Sequence, residues 1–416
     1  MADDSSGQEA PTRRDYMKYG GAVVGGGLLA GCAGQSNSGS MSTGTKNETA
    51  TDGEATESSD SRTVTMKPAG TRTFTEVPES YIVYHTGWAD IMASLGQFDG
   101  LQGMQVPSTF FPTEFYERLP GVEIDLSGVM DLFGGGSDSV DKEIFYEIDP
   151  DISMIDPYVA TDYLGLDEAS VEELEDNVGP FFGSFMRRPQ YTDKHPFYSL
   201  YEGTKQAAAV FQQQERYRAL KSFHDDVVSS IRDRLPVAED RPSYAYMNMN
   251  WWGELNEVYA RKPRMPGYQH KPFRDLEIKS ENDVFRDKFP EAERTLTTDL
   301  EGLLEADPEV IIWHGGYTLV GGYSPGWYDG TMTWEDGIVG ALQDDPVASE
   351  VTAVKEGRIL PGNMIEVGPV TNLFNTEDMA KQLYPEEFGE FKPGEYGEGE
   401  RLFDRQELAD IVTGSF

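Results

Sequence analysis

The sequence predicts an α/β protein, with two doubly wound α/β lobes joined by one long inter-lobe α-helix. Three observations predict it. First, β-rich runs alternate with amphipathic helical stretches and few hairpin signals separate them, which is the pattern of parallel strands joined by crossover helices. Second, "EIFYEIDPDISMI" at 143–155 returns as "EGLLEADPEVIIW" at 301–313, and two similar strand starts, Tyr81 and Tyr244, lie nearly the same distance apart. Third, residues 198–235 contain no proline and a single glycine, Gly203. Within that stretch Val210, Phe211, Tyr217, Leu220, Val227, Val228 and Ile231 keep helical spacing.

The elements follow in chain order. "YIVYHTGW" (Tyr81–Trp88) reads as a strand closed by a glycine turn, and "ADIMASLGQFDG" as a short helix stopped at Gly96. "LQGM" is the next strand. "DKEIFYEIDP" is a helix ended by Pro150, and "DISMID" is a buried strand ended by Pro157. "VEELEDNVGPFFGSF" supplies another helix and strand. The stretch 196–236 then reads as one or two helices, the later one of about 25–30 residues. At about 1.5 Å per residue that is about 40 Å, enough to cross a domain junction. After Pro236 the pattern restarts with "RPSYAYMNMNWWGE". The expected boundaries are a lobe at 62–195, the linking helix at 196–236, a second lobe at 237–391 and an acidic tail with a short helix at 392–416.

The first 61 residues are of a different kind. "TRRDYMK" precedes a glycine-rich apolar run that ends in "LAGC" at Leu29–Cys32. An arginine pair, a short weakly apolar stretch and small residues before a cysteine fit an export signal of the twin-arginine type with a lipobox, over residues 1–32. Lipidated Cys32 is then the membrane anchor. Residues 33–61 are rich in Ser, Thr, Gly, Asn and Glu and read as a disordered tether. The expected location is therefore the extracytoplasmic face of the cell membrane.

Charge narrows the partners. The 416 residues carry 73 acids against 34 bases, a formal charge of −39. No basic surface is available for phosphates, so nucleic acid is excluded as a partner. In molar salt the Debye length falls to roughly 3 Å and like-charge repulsion is screened, so the acidity reads as a surface adapted to high salt. Cys32 is the only cysteine, which rules out an intramolecular disulfide and a cysteine metal cluster within one chain.

Four stretches together resemble a known family. "YIVYHTGWADIMASLGQFDGLQGM", "KEIFYEIDPDISMI", the long helix, and the pair "AVKEGRIL" (353–360) with "AKQLYPEEF" (380–388) are similar to the substrate-binding lipoproteins of ABC importers for iron–siderophore, haem and cobalamin-type ligands. These are helical-backbone, class III periplasmic binding proteins, and the salt-adapted composition points to a haloarchaeal type. Tyr384 stands where family members often have histidine. The resemblance implies a ligand between the lobes, limited hinge closure and a monomer that meets permease and ATPase subunits of an importer. It also implies docking through an acidic residue on each lobe, which falls on Glu143 and Glu301. No intrinsic cofactor is expected; the bound ligand is a small-molecule chelate, an Fe(III) chelate first.

Ligands of open α/β sheets sit at the carboxyl ends of strands. That rule selects His85, Trp88, Tyr158, Arg187, Arg188, Trp251, Trp252, His314 and Tyr317, with Trp327 in a glycine-rich aromatic loop expected to cover the cleft. Aromatic walls suit a large planar or apolar chelate, and arginines suit an anionic one. His85 and His314 are candidates for iron ligands; each taken alone reads more readily as a hydrogen-bonded structural histidine, and their corresponding places at strand ends of the two lobes raise the pair. "GYSPG" at Gly322–Gly326 has the form of a serine-hydrolase elbow, but Pro325 cannot donate the oxyanion N–H and no histidine follows His314. No enzyme activity is expected. A ferric siderophore is the first ligand, with cobalamin, haem or an oxyanion as alternatives, and a lipid-anchored enzyme or redox protein as the alternative class.

Overall fold

The computed structural model describes residues 61–107, 113–134, 139–249, 257–291, 293–317, 333–363, 367–392 and 396–416. They belong to one compact unit, Ser59–Phe416. A short antiparallel hairpin, β1 (Arg62–Met66) and β2 (Gly70–Phe74), precedes two sheets. The first holds β3 (Tyr81–Val83), β4 (Leu101–Met104), β5 (Met130–Asp131) and β6 (Ile152–Met154), all parallel, in the order β5-β4-β3-β6. Phe181 bridges Ser153 in parallel and extends this sheet beyond β6. The second holds β7 (Tyr244–Met249), β8 (Val258–Arg261), β9 (Thr295–Thr298), β10 (Val310–Trp313) and β11 (Ile359–Leu360), in the order β11-β10-β7-β8-β9.

Counted by entry into its sheet, each set runs third, second, first, fourth, fifth. The repeated phrase is thus the same structural step in both. Each copy is a short helix ending on a left-handed aspartate, Asp149 (φ 51°) or Asp307 (φ 42°), followed by Pro and the fourth strand. Aspartate tolerates that conformation better than most residues. The second sheet departs from the all-parallel expectation, because β8 and β9 run antiparallel. Too few residues separate Met249 from Val258 for a crossover helix, so β7 and β8 can only pair as neighbours of opposite direction.

Helices important to the site are α1 (Thr86–Ser94), α2 (Glu143–Ile148), α3 (Pro157–Asp162), α4 (Leu200–Val210), α5 (Gln214–Arg232), α6 (Lys271–Asp275), α7 (Leu300–Ala306), α8 (Pro369–Leu383) and α9 (Arg405–Thr413). The stretch read as a long linking helix is two helices. Gln212 takes a left-handed φ of 55° and separates α4 from α5. The 19 residues of α5 are fewer than the 25–30 expected, and at 1.5 Å per residue span about 28 Å. Near its start the Arg216 guanidinium bonds the Leu95 carbonyl after α1. At its end Arg232 Nε donates to Asp275 O at 2.7 Å.

Strand residues alternate between cores, as a period of two requires. Tyr81, Val83, Ile152 and Met154 of the first sheet share one core with Tyr244, Tyr246, Val310 and Ile312 of the second. Ile82 faces a separate cluster with Phe145 and Phe181, while Ala245, Met247, Ile311 and Trp313 face another. The shared core is built on α8, all fifteen residues of which are buried. Its N-terminus is capped from another helix. Asp90 of α1 accepts from Gly368 N at 2.8 Å and Thr371 N at 3.1 Å, and Tyr116 OH donates to it at 2.6 Å. Orphan N–H groups at a helix start are satisfied by such a carboxylate. The stretch read as an acidic tail is part of this core: α9 buries Leu408, Ala409, Ile411 and Val412, and Phe403 packs edge-on against Phe374 at 5.2 Å. Among the described residues no helix is long and apolar enough to cross a membrane.

Candidate functional site

Each sheet reverses its strand order beside its first strand, between β3 and β6 and between β7 and β10. Crevices form at such switch points. At the first of them Tyr84 and His85 follow β3, and Asp156 follows β6. Asp156 organises the neighbourhood. It caps α3 by accepting from Tyr158 N at 2.9 Å, accepts from Phe185 N at 2.7 Å, and stands 3.1 Å from His195 Nε2. Burial lowers the His195 pKa, but the Asp156 carboxylate and the Pro196 carbonyl outweigh it, so the net shift is upward. Trp88 Nε1 donates to Ser184 O at 3.0 Å.

Aromatic rings cover this end of the sheet. Tyr158 lies parallel to His195 at 6.0 Å, Tyr84 stacks with Tyr163 at 6.2 Å, and Phe185 meets Tyr191 edge-on at 5.5 Å. A cavity of about 10 Å³, lined by Tyr84, His85, Trp88, Asp156, Phe185 and Tyr268, has room for one water.

Residues 184–188 are zipped to 267–270, a segment from the other half of the chain. Tyr268 N donates to Met186 O at 3.0 Å, Gln269 N to Arg187 O at 3.3 Å, and Arg187 Nε to Gln269 Oε1 at 3.0 Å. Gly267 is required here, since its φ is +114° and a Cβ would stand 2.3 Å from Arg187 O.

Behind this seam lies a cationic cluster. Arg188 Nη2 reaches Tyr163 OH at 3.5 Å. Arg261 of β8 donates to Asn248 Oδ1 at 2.7 Å and Thr295 Oγ1 at 3.1 Å, and no carboxylate pairs with it among the described residues. His314 Nδ1 is 2.5 Å from Tyr246 OH. Burial, then Arg261, His270, Arg187 and Arg188, hold the His314 imidazole well below its usual range. Burial, then Arg274, Arg187, Arg261 and Arg188, press His270 down to about 3. Both histidines are neutral at pH 7.

The ten residues chosen from sequence are therefore placed unequally. His85, Trp88, Tyr158, Arg187, Arg188 and His314 line the seam or its two walls. Tyr317 is only 1% exposed and packs at 5.5 Å from Phe115, with Arg118 Nη2 3.3 Å from its hydroxyl, inside the helical core. Trp251, Trp252 and Trp327, Cys32 and the "GYSPG" loop lie outside the described residues. Glu143 and Glu301 are both exposed, in the first turns of α2 and α7. Arg261, Gln269 and His270 were not legible, because β8 and the 267–270 segment meet the site only through tertiary packing. Among the described residues no group of three or more His, Cys, Asp or Glu is placed to hold a metal ion.

The fold is the class III periplasmic-binding-protein fold, mixed α/β with one parallel and one mostly parallel, mixed sheet and bridging helices. Among solved structures it is shared with the petrobactin-binding protein YclQ of Bacillus subtilis, at TM-score 0.53 and 13% identity over 78% of this chain and 97% of that one. Staphylococcus aureus SirA, complexed with staphyloferrin B, matches at TM-score 0.52 and 12% identity, over 77% and 98%. Helicobacter pylori CeuE, with Ni(II) bound, matches at 0.52 and 12%, over 85% and 96%. At these identities the likeness is one of fold. No family model and no curated protein matches the chain.

Proposed function

We propose that the chain is an extracytoplasmic solute-binding protein, lipid-anchored at Cys32 after twin-arginine export, that captures a metal chelate and delivers it to an ABC importer. A ferric siderophore is the first ligand, ahead of cobalamin, haem or an oxyanion. The observation that carries the reading is the seam itself. Two switch points, one per sheet, converge on a strip that has an aromatic wall on one side and a guanidinium cluster on the other. Such convergence of apolar surface with a few polar groups is how small-molecule sites are built. The partners of His195 and His314 are themselves buried, and Asp156 already accepts from Tyr158 N and Phe185 N, so neither histidine pair presents a nucleophile at the surface, which favours binding over catalysis. A chelate is far larger than the cavity, so it seats at the rim or parts the two segments as the hinge opens.

Tryptophan-fluorescence titration of the whole chain in molar salt tests this. Ferric siderophores, haem, cobalamin and molybdate form the panel. At least one metal chelate is expected to bind at micromolar concentration or tighter, and turnover of a substrate without any such binding would overturn the reading.

The exposed glutamates carry the delivery step. Each leads the same helix of a repeated unit, so each half of the chain presents one acid in an equivalent place to permease arginines. Glu143→Ala and Glu301→Ala are expected to impair uptake in cells while leaving chelate affinity within about twofold. A loss of affinity instead would remove them from docking.

A further inference from the structure

This inference rests on the solute-binding reading and deepens it. We propose that Tyr268 is a built-in occupant of the crevice at the first sheet's switch point: its ring fills the place a solute needs, and a solute enters only as that ring leaves.

The first argument is where the ring lies. Tyr84 and His85 follow β3, and Asp156 follows β6. Those three line the cavity of about 10 Å³ together with Ser184 and Tyr268. Tyr268 comes from the other half of the chain, between β8 and α6, and is only 1% exposed. The carboxyl ends of the strands that flank a switch point are where an open α/β sheet takes its ligand. Here a phenol of the same chain stands there, and what is left beside it holds no more than one water.

The second argument is that both halves are shaped for this contact. A Cβ on Gly87 would stand 2.8 Å from Tyr268 Cζ and 2.9 Å from its hydroxyl oxygen. The ring therefore rests against the first turn of α1 because that residue is glycine. On the other side, the turn that carries Tyr268 is shaped from within the second half. Arg274 Nη2 of α6 donates to Gly267 O at 2.6 Å, and Asn363 Nδ2 donates to Gln269 O at 2.9 Å. Those bonds stay with the second half when the backbone bonds to Met186 O and Arg187 O break. Withdrawal of the ring and opening of the crevice are then one movement.

The third argument is a polar group that the packed arrangement does not use. Ser184 is 1% exposed and lines the cavity, and its Oγ has no hydrogen-bond partner among the described residues. A buried hydroxyl left without a partner is costly in a finished core. A solute that replaced Tyr268 with a polar atom at this point would satisfy it.

The consequence is a competition between ring and solute. The apparent affinity is the intrinsic one reduced by the fraction of chains whose crevice is empty. The ring also refills the crevice as the solute leaves, which favours release at the importer over recapture.

The test uses the full chain in molar salt. Ferric enterobactin, ferrichrome, haem and cobalamin are titrated by tryptophan quenching against the native chain, Tyr268→Ala, Tyr268→Phe and Gly87→Ala. A solute that binds is expected to bind Tyr268→Ala at least about tenfold tighter than the native chain, as the competing state is removed. Gly87→Ala pushes the ring out from the other side and should tighten binding in the same direction by a smaller factor. Tyr268→Phe keeps the ring and should stay within about twofold of native. Should Tyr268→Ala fail to fold by circular dichroism, Gly87→Ala decides alone, since alanine suits a helix better than glycine. Affinities unchanged in Tyr268→Ala and Gly87→Ala would make Tyr268 ordinary packing, and weaker binding by Tyr268→Ala would make its ring a wall of the site. Either result overturns the proposal and leaves solute binding standing. Binding of no solute by the native chain or any variant would remove the solute-binding reading with it.

Discussion

Arg405→Met is expected to lower the free energy of unfolding by about 3–5 kcal/mol, the range for breaking a buried ion pair from one side. Arg405 and Glu377 have side chains 4% and 0% exposed and are in direct contact. The guanidinium also lies over Phe403 at 3.6 Å and Phe374 at 4.4 Å, so methionine keeps much of the apolar contact while removing the charge. Glu377 would keep only the Leu402 amide, which donates to its Oε1 at 2.6 Å, and it would stand next to Asp378. An unpaired carboxylate in that place is the source of the loss. Adding Glu377→Gln to the methionine variant removes the stranded charge and should restore more than half of the stability. Urea denaturation in molar salt measures both. A single-variant loss under about 1 kcal/mol would mean that the pair is not desolvated, and that the C-terminal segment does not seal α8 as described.

That pair also shows what the sequence could not convey. Strand–helix alternation and the echoed phrase were enough for two sheets and their equivalent steps, because those signals are local and the aspartate–proline stop has the same geometry in both copies. The antiparallel turn of β8 and β9 was missed, since it depends on a connection length and not on strand composition. Helix α8 was half seen. "AKQLYPEEF" marked its end, but a stretch holding Asn372, Asn375, Glu377, Asp378 and Lys381 reads as a solvated helix face, and only tertiary packing shows every one of these side chains buried. Residues after Phe391 read as an acidic tail with a short helix, because six acids stand against three bases there. Their few apolar side chains are spaced to form the seal of α9 over α5 and α1. In the site the same division holds. Arg187 and Arg188 were legible as an arginine pair at a strand end. Arg261, Gln269 and His270 come from elements whose contact with that end is set by the fold alone. Tyr317 satisfied the strand-end rule and still points into the core, because the turn after His314 carries it toward Phe115.

Asp378 gives the second large effect, and it is one of pH. Burial first, then the neighbouring Glu377, push its carboxyl up to about 7, against the hydrogen bond from Tyr396 OH at 2.7 Å, which favours the charged form. In the unfolded chain an aspartate gives up its proton at about 3.9. Between those values the folded protein binds more protons than the unfolded one, so stability falls as pH rises. The contribution is fully present below about pH 4 and lost by about pH 7, a change on the order of 4 kcal/mol at 1.36 kcal/mol per unit. Asp378→Asn keeps the shape and an acceptor for Tyr396 but has no proton to lose. The variant should therefore match or fall below the native chain at about pH 5 and exceed it at about pH 8, in urea unfolding at constant molar salt. Every other titrating group is common to both proteins and cancels in the difference. Parallel curves across that window would mean that Asp378 is ionised in the native state throughout, with Arg118 or another cation close enough to hold the charge. The core around α8 would then be a balanced network of charges, and the loss expected for Arg405→Met would shrink with it.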